Sequence, residues 1–128
     1  MSPKKILIVD DNAENRRILR YRLQRIGQFD IREAADGQEA VDAFQANRPD
    51  LIFMDFKMPV MDGWEATKRI RQLEGADKVR IIALTVFGMP GDEQKAMAIG
   101  CDDYLVTPVV APDLLRQKVE RLLGTVAA

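Results

Sequence analysis

Short apolar runs recur along this chain, and each is followed by a segment with helical spacing. The runs are KILIV (5–9), DIREAA (30–35), LIFMD (51–55), RIIALT (80–85) and DYLVT (103–107). Their length and content are typical of β-strands. The first, third and fourth runs are almost wholly apolar, as expected of central strands that are covered on both faces. The second run also contains charged residues, which indicates an edge strand.

The segments between and after these runs predict five helices. In the first, Leu19, Leu23 and Ile26 follow a helical spacing that stops at Gly27. The third helix opens at Asp62, a favourable N-cap residue, and the fifth opens at Pro112, which suits a first turn. The other two are placed by Ala40, Val41 and Phe44, and by the glycines at 91 and 100.

Five repeats of strand and helix predict an α/β domain with a doubly wound, five-stranded parallel sheet in three layers. In the strand order 2-1-3-4-5, the first and third strands flank the point where the order reverses, and such sheets bind ligands there. Asp10 and Asp11 follow the first strand and Asp55 ends the third. Three carboxylates are therefore expected in one crevice. Thr85 and Thr107, which end the fourth and fifth strands, are expected to face it too.

The composition narrows the range of functions. The 128 residues fit one domain, predicted over residues 1–124 with a tail at 125–128, and the 47% hydrophobic and 30% charged residues are typical of a folded globular protein. A net charge of −1 does not favour binding to nucleic acid or to a membrane surface. The apolar runs are too short to cross a bilayer, and the single cysteine suits the cytoplasm. The chain contains no histidine, which excludes histidine chemistry by its own residues.

Carboxylates that lie close together raise each other's pKa and destabilise a fold unless a cation compensates them. Oxygen ligands without nitrogen or sulfur suit Mg²⁺, Mn²⁺ or Ca²⁺. Asp10, Asp11 and Asp55 therefore predict a site for a divalent cation. The alternative is that Asp10 and Asp11 only cap a loop, which leaves the nearby Asp55 unexplained.

Four segments, IVDDN, MDFKMPVMDG, ALT and GCDDYLVTP, together resemble the receiver domain of two-component response regulators. Each segment alone is a weak signal, but their order and their positions at strand ends are specific, and the resemblance covers essentially the whole chain. It implies a flavodoxin-like (βα)5 fold and a role in phosphorelay signal transduction. In that role Asp55 accepts a phosphoryl group from a histidine kinase or a histidine phosphotransfer protein, and the chain turns over no separate substrate.

The resemblance also implies roles for the residues around Asp55. Asp11 would bind Mg²⁺, or Mn²⁺, directly and Asp10 would bind it through water, with the backbone carbonyl of Lys57 as a further ligand. The hydroxyl of Thr85 would bond a phosphoryl oxygen, and Tyr104 would turn inward as that threonine moves. The surface around the fourth helix, fifth strand and fifth helix would then change for a downstream protein or an attached domain.

Two positions depart from the family pattern. Thr107 stands where the family usually has a lysine that pairs with the phosphoryl group, and Val86 replaces a small residue. Lys57 is a candidate to supply part of the missing charge. A second interpretation is therefore a degenerate receiver that docks to other proteins without being phosphorylated. Thr107 and Val86 favour this interpretation, whereas the complete set of acids together with Thr85 disfavours it.

Two further classes fit the sequence less well. A hydrolase with an aspartyl-phosphate intermediate normally has a second acid two residues after the nucleophile, where this chain has Lys57. It usually has a cap domain as well, for which 128 residues leave no room. A flavin-binding protein needs a phosphate-binding loop after its first strand, and the acidic loop at 10–12 would repel a phosphate.

Overall fold

Strands and helices alternate along the chain, as the sequence predicts. The computed structural model describes residues 3–56, 62–73, 75–85, 91–107 and 112–124. The strands are β1 (Lys4–Val9), β2 (Phe29–Ala34), β3 (Leu51–Asp55), β4 (Arg80–Thr85) and β5 (Asp103–Val106). The helices are α1 (Ala13–Gln24), α2 (Gly37–Asn47), α3 (Gly63–Arg71), α4 (Asp92–Ala98) and α5 (Pro112–Leu123), with a short 3₁₀ helix at Ala76–Lys78.

The five strands form one parallel sheet in the order β2-β1-β3-β4-β5, which confirms the predicted order. Val9 lies opposite both Ala34 and Met54, and Thr85 lies opposite Val106. The carboxyl ends of all five strands therefore lie along one edge of the sheet. Among the described residues, no helix has both the length and the apolar character needed to cross a membrane.

Successive residues of the central strands enter two separate hydrophobic clusters. In β1, Ile6 and Ile8 join a cluster with residues of α1 and α5, whereas Leu7 and Val9 join a cluster with residues of α2 and α3. All four side chains are at most 2% exposed. Helices thus cover both faces of the sheet, and this explains why residues 6–9 are all apolar.

Side chains mark where three of the helices begin. Asn12, Asp36 and Asp62 are N-cap residues, and the side-chain oxygen of each accepts a hydrogen bond from the backbone N–H three residues later. A cap of this kind typically contributes about 1 kcal/mol, because it satisfies an N–H group that has no partner inside the helix. The cap at Asn12 joins α1 directly to the acidic loop that follows β1.

Candidate functional site

Three acidic side chains meet at the edge of the sheet where β1 and β3 end. Asp10 and Asp11 follow β1, and Asp55 is the last residue of β3. One carboxylate oxygen of each residue lies within 4.8 Å of the other two. Asp10 is buried, Asp55 is half-buried and Asp11 is exposed, so the cluster opens to solvent on one side.

The spacing of these oxygens fits a small divalent cation. Mg²⁺ binds oxygen at about 2.1 Å, so two ligands on opposite sides of the ion are about 4.2 Å apart. The three carboxylate oxygens lie within 4.8 Å of one another. They could therefore bind one ion after a slight inward movement, or with a water molecule between one carboxylate and the ion. A set of carboxylate oxygens suits Mg²⁺ or Mn²⁺ better than a softer metal.

Asp10 is held by its main chain and by its side chain. Its N–H donates to the carbonyl of Ala34 at 3.1 Å, and its carbonyl accepts from the Arg16 guanidinium at 2.7 Å. The Asn12 N–H donates to its carboxylate at 2.9 Å. Burial raises the pKa of Asp10, the Asn12 hydrogen bond opposes this rise, and the charge of Asp11 adds to it. A cation bound here would relieve the cost of keeping Asp10 ionised.

The start of α3 packs directly against the backbone of Asp55. A Cβ added to Gly63 would lie 2.2 Å from the carbonyl oxygen of Asp55 and 2.7 Å from Cδ1 of Phe56. The Phe56 ring also packs on the ring of Trp64, with 4.0 Å between the ring centroids. The first residue of α3 must therefore be glycine if the Asp55 backbone is to keep this position.

Thr85 and Thr107 are joined at the ends of β4 and β5. The backbone N–H of Thr107 donates to the carbonyl oxygen of Thr85 at 2.7 Å, and the Thr107 hydroxyl donates to the same oxygen at 3.2 Å. The Thr107 hydroxyl thus bonds the backbone of the neighbouring strand. Tyr104 is half-buried on β5, where its register partner is Ala83.

Two residues singled out in the sequence, Lys57 and Val86, lie outside the described residues, as does the tail at 125–128. The role of the Lys57 carbonyl as a metal ligand therefore stays a prediction. The same holds for the domain boundary at residue 124. Val86 has a branched side chain where the family has a small residue, and the expectation that it narrows access to Asp55 also stays a prediction.

The sequence pattern of the response regulator receiver domain family matches residues 6–120 of this chain. The chain belongs to this family. It is therefore a receiver domain of two-component phosphorelay systems, and the resemblance seen in the sequence is confirmed.

Curated relatives include both whole proteins of this size and parts of longer ones. The polar-differentiation response regulator DivK of Brucella anthropi is 34% identical over 122 residues, which cover 95% of this chain and 98% of that protein. The probable transcriptional regulator ycf27 of Cyanophora paradoxa is 38% identical over 123 residues, which cover 96% of this chain. The chain spans only 49% of the length of that regulator.

Two solved structures share the fold and are similar in sequence. The receiver domain of the sensor histidine kinase PA1611 from Pseudomonas aeruginosa, with a magnesium ion coordinated in its active site cleft, is 35% identical with a TM-score of 0.86. That match covers 96% of this chain and 99% of the other. A chain in the co-crystal structure of the Saccharomyces cerevisiae histidine phosphotransfer protein Ypd1 with the receiver domain of Ssk1 is 36% identical, with a TM-score of 0.83. Here the match covers 95% of this chain and 90% of that chain.

Proposed function

We propose that this receiver domain accepts a phosphoryl group on Asp55 and changes its surface in response. The convergence of Asp10, Asp11 and Asp55 within 4.8 Å carries this proposal. The Asp55 carboxylate, the proposed nucleophile, lies beside two further acids that suit a divalent cation. The magnesium ion in the PA1611 receiver domain supports this assignment.

In the proposed reaction, a carboxylate oxygen of Asp55 attacks the phosphorus of a phosphohistidine on a partner protein. A new oxygen–phosphorus bond forms, the phosphorus–nitrogen bond breaks, and the imidazole leaves with the electron pair of that bond. Asp10, Asp11 and Asp55, with the Lys57 carbonyl, would hold Mg²⁺ or Mn²⁺. When bound, this ion neutralises charge on the phosphoryl oxygens. No separate substrate is turned over, because the chain is itself the acceptor.

The response to phosphorylation is assigned to Thr85 and Tyr104. The Thr85 hydroxyl would donate a hydrogen bond to a phosphoryl oxygen, and Tyr104 would turn inward as Thr85 moves. Thr107 carries no positive charge, and its hydroxyl already bonds the Thr85 carbonyl, so it does not replace the charge of a lysine at the phosphoryl group. We therefore expect phosphorylation to survive but the conformational response to be muted, unless Lys57 or a partner protein supplies the charge.

The proposed phosphodonor is a histidine kinase or a histidine phosphotransfer protein. The match to a chain of the Ypd1–Ssk1 co-crystal supports a partner of this class. The responding surface, formed by α4, β5 and α5, would bind a downstream protein or an attached domain. A cytoplasmic location and the lack of a role in binding nucleic acid stay predictions.

The test is an intact-mass measurement after incubation with Mg²⁺ and acetyl phosphate. The parent chain should gain one phosphoryl group, and chelation of the metal should prevent the gain. Asp55→Asn should fold normally, because the two side chains have the same shape, and should gain nothing. A parent that remains unmodified under all conditions would instead support the receiver that only docks to other proteins.

A further inference from the structure

Arg16 connects the acidic loop to the second strand. It lies near the start of α1, and its side chain is only 17% exposed. Its Nη1 donates to the carbonyl oxygen of Asp10 at 2.7 Å, while its Nε donates to a carboxylate oxygen of Glu33 on β2 at 2.9 Å. One planar guanidinium thus makes contacts with two separate elements of the fold.

Glu33 is itself fixed, so the orientation of Arg16 is fixed as well. The second carboxylate oxygen of Glu33 accepts from Nε of Arg20 at 2.7 Å, and Arg20 also donates to the carbonyl of Ile31 at 3.1 Å. Burial raises the pKa of Glu33, but the hydrogen bonds from Arg20 and Arg16 outweigh this effect and hold the pKa below its usual value. Glu33 is therefore ionised at neutral pH and holds Arg16 in place.

We propose that Arg16 is a positioning residue for the cation site. The carbonyl that it bonds belongs to the peptide group that links Asp10 to Asp11. Fixing that peptide sets the relative directions of the two acidic side chains before an ion arrives. This inference rests on the proposed function, because it presupposes that the acids bind a divalent cation.

Removal of the Arg16 side chain should change the affinity for Mg²⁺ in opposite directions, depending on whether its charge or its hydrogen bond matters more. The guanidinium is a positive charge near the cation site, so its loss should strengthen binding of Mg²⁺ if charge alone decides. If the hydrogen bond to the Asp10 carbonyl decides, the acidic loop loses its support and binding weakens. Groups that orient metal ligands typically contribute about ten- to hundredfold in metal affinity. Since Glu33 offsets part of the charge of Arg16 and salt screens the remainder, the geometric effect should prevail.

Arg20 provides a matched control. It lies on the same helix, carries the same charge and bonds the same Glu33 carboxylate, but its other hydrogen bond goes to the Ile31 carbonyl and not to the acidic loop. Arg16→Met and Arg20→Met both remove one charge and keep most of the apolar stem. A third variant, Arg16→Lys, keeps the charge, but a single ammonium group replaces the planar guanidinium that bonds Glu33 and the Asp10 carbonyl at once.

The experiment is a Mg²⁺ titration of the parent and the three variants, followed by NMR through the backbone amide of Asn12, which bonds the Asp10 carboxylate. The dissociation constant should rise about tenfold in Arg16→Met and by a smaller factor in Arg16→Lys. It should change by less than about twofold in Arg20→Met, because the hydrogen bonds of Arg20 go to Glu33 and Ile31 and salt weakens the effect of its charge on the ion. If Arg16→Met does not fold, Arg16→Lys decides, since charge is constant and only geometry changes.

The possible outcomes separate this inference from the proposed function. If the parent itself shows no response to Mg²⁺, the proposed function fails and the role of Arg16 falls with it. If the parent binds Mg²⁺ and the two Arg16 variants bind as tightly or more tightly, the positioning role is refuted while the cation site stands. Equal weakening in Arg16→Met and Arg20→Met would also refute it, because the cause would then be the shared pairing with Glu33.

Discussion

Gly63→Ala is a small substitution that should directly disturb Asp55, the proposed phosphoacceptor. The added carbon would lie 2.2 Å from the Asp55 carbonyl oxygen, about 1 Å closer than carbon and oxygen normally approach. The obstructing atom is part of the main chain, so no side-chain rotation can relieve the contact. Either α3 or the end of β3 must move by a comparable distance.

The expected cost has two parts. Overpacking of this kind typically reduces stability by about 1–3 kcal/mol, and the better helix propensity of alanine offsets up to about 1 kcal/mol. We expect the free energy of unfolding to fall by about 1–2 kcal/mol. The larger effect should be kinetic, since a misplacement of about 1 Å can slow a reaction about a hundredfold.

The assay compares the rate of phosphorylation by acetyl phosphate at saturating Mg²⁺, with urea unfolding measured in parallel. Gly75→Ala is the control, because Gly75 has a φ of +80° and lies before β4, at the opposite edge of the sheet. Alanine there should cost about 1 kcal/mol of backbone strain and leave the rate unchanged. If Gly63→Ala is phosphorylated as fast as Gly75→Ala, the packing of α3 does not position Asp55, and the reasoning fails.

Three further predictions concern the metal, the switch and the pH dependence. Millimolar Mg²⁺ should raise the melting temperature of the parent, since it binds only the folded state, and Asp11→Asn should abolish most of that rise; an unchanged melting temperature in the parent would contradict the cation site. Thr107→Lys should enlarge the NMR shifts that beryllofluoride induces near the end of β4, because a charge-assisted hydrogen bond contributes about 1.5–3 kcal/mol; equal shifts would show that the charge is dispensable. Burial raises the pKa of Asp103, but hydrogen bonds from Lys118 and Arg121 outweigh this effect and hold the pKa below its usual value. The stabilisation that ionised Asp103 provides is therefore complete above the unfolded-state pKa. It is lost as the pH falls through the folded-state pKa. Asp103→Asn should therefore lower the unfolding free energy by about 2 kcal/mol at pH 7, and this deficit should shrink below about pH 4 in urea unfolding; a deficit independent of pH would refute the assignment.

Local patterns account for most of the fold. The run LIFMD at 51–55 matches β3, and RIIALT at 80–85 matches β4, because strands covered on both faces need apolar interiors and carry polar residues only at their ends. Asp62 is the N-cap of α3, and its side chain accepts a hydrogen bond from the first turn, as a start signal of this kind predicts. The grouping of the acids follows from the general location of ligand sites in doubly wound sheets.

Contacts between distant segments could not be predicted in the same way. Arg16 and Arg17 are adjacent in the sequence, yet Arg16 bonds Glu33 and the Asp10 carbonyl, whereas Arg17 pairs with Glu14 on its own helix. Helical spacing places Arg16, and not Arg17, on the same face as Leu19 and Leu23, but the partners of Arg16 depend on how α1 lies against β2. The close approach at Gly63 depends in the same way on how α3 meets β3.

The carbonyl oxygen of Thr85 accepts two hydrogen bonds from Thr107, and these bonds couple the end of β4 to the end of β5. A movement of Thr85 toward Asp55 must either carry Thr107 with it or stretch the 2.7 Å hydrogen bond from the Thr107 amide. In the second case, that amide proton becomes open to exchange with solvent. Hydrogen exchange at this one backbone position would then report the fraction of molecules in which the strand ends have separated, without a label or a bound partner.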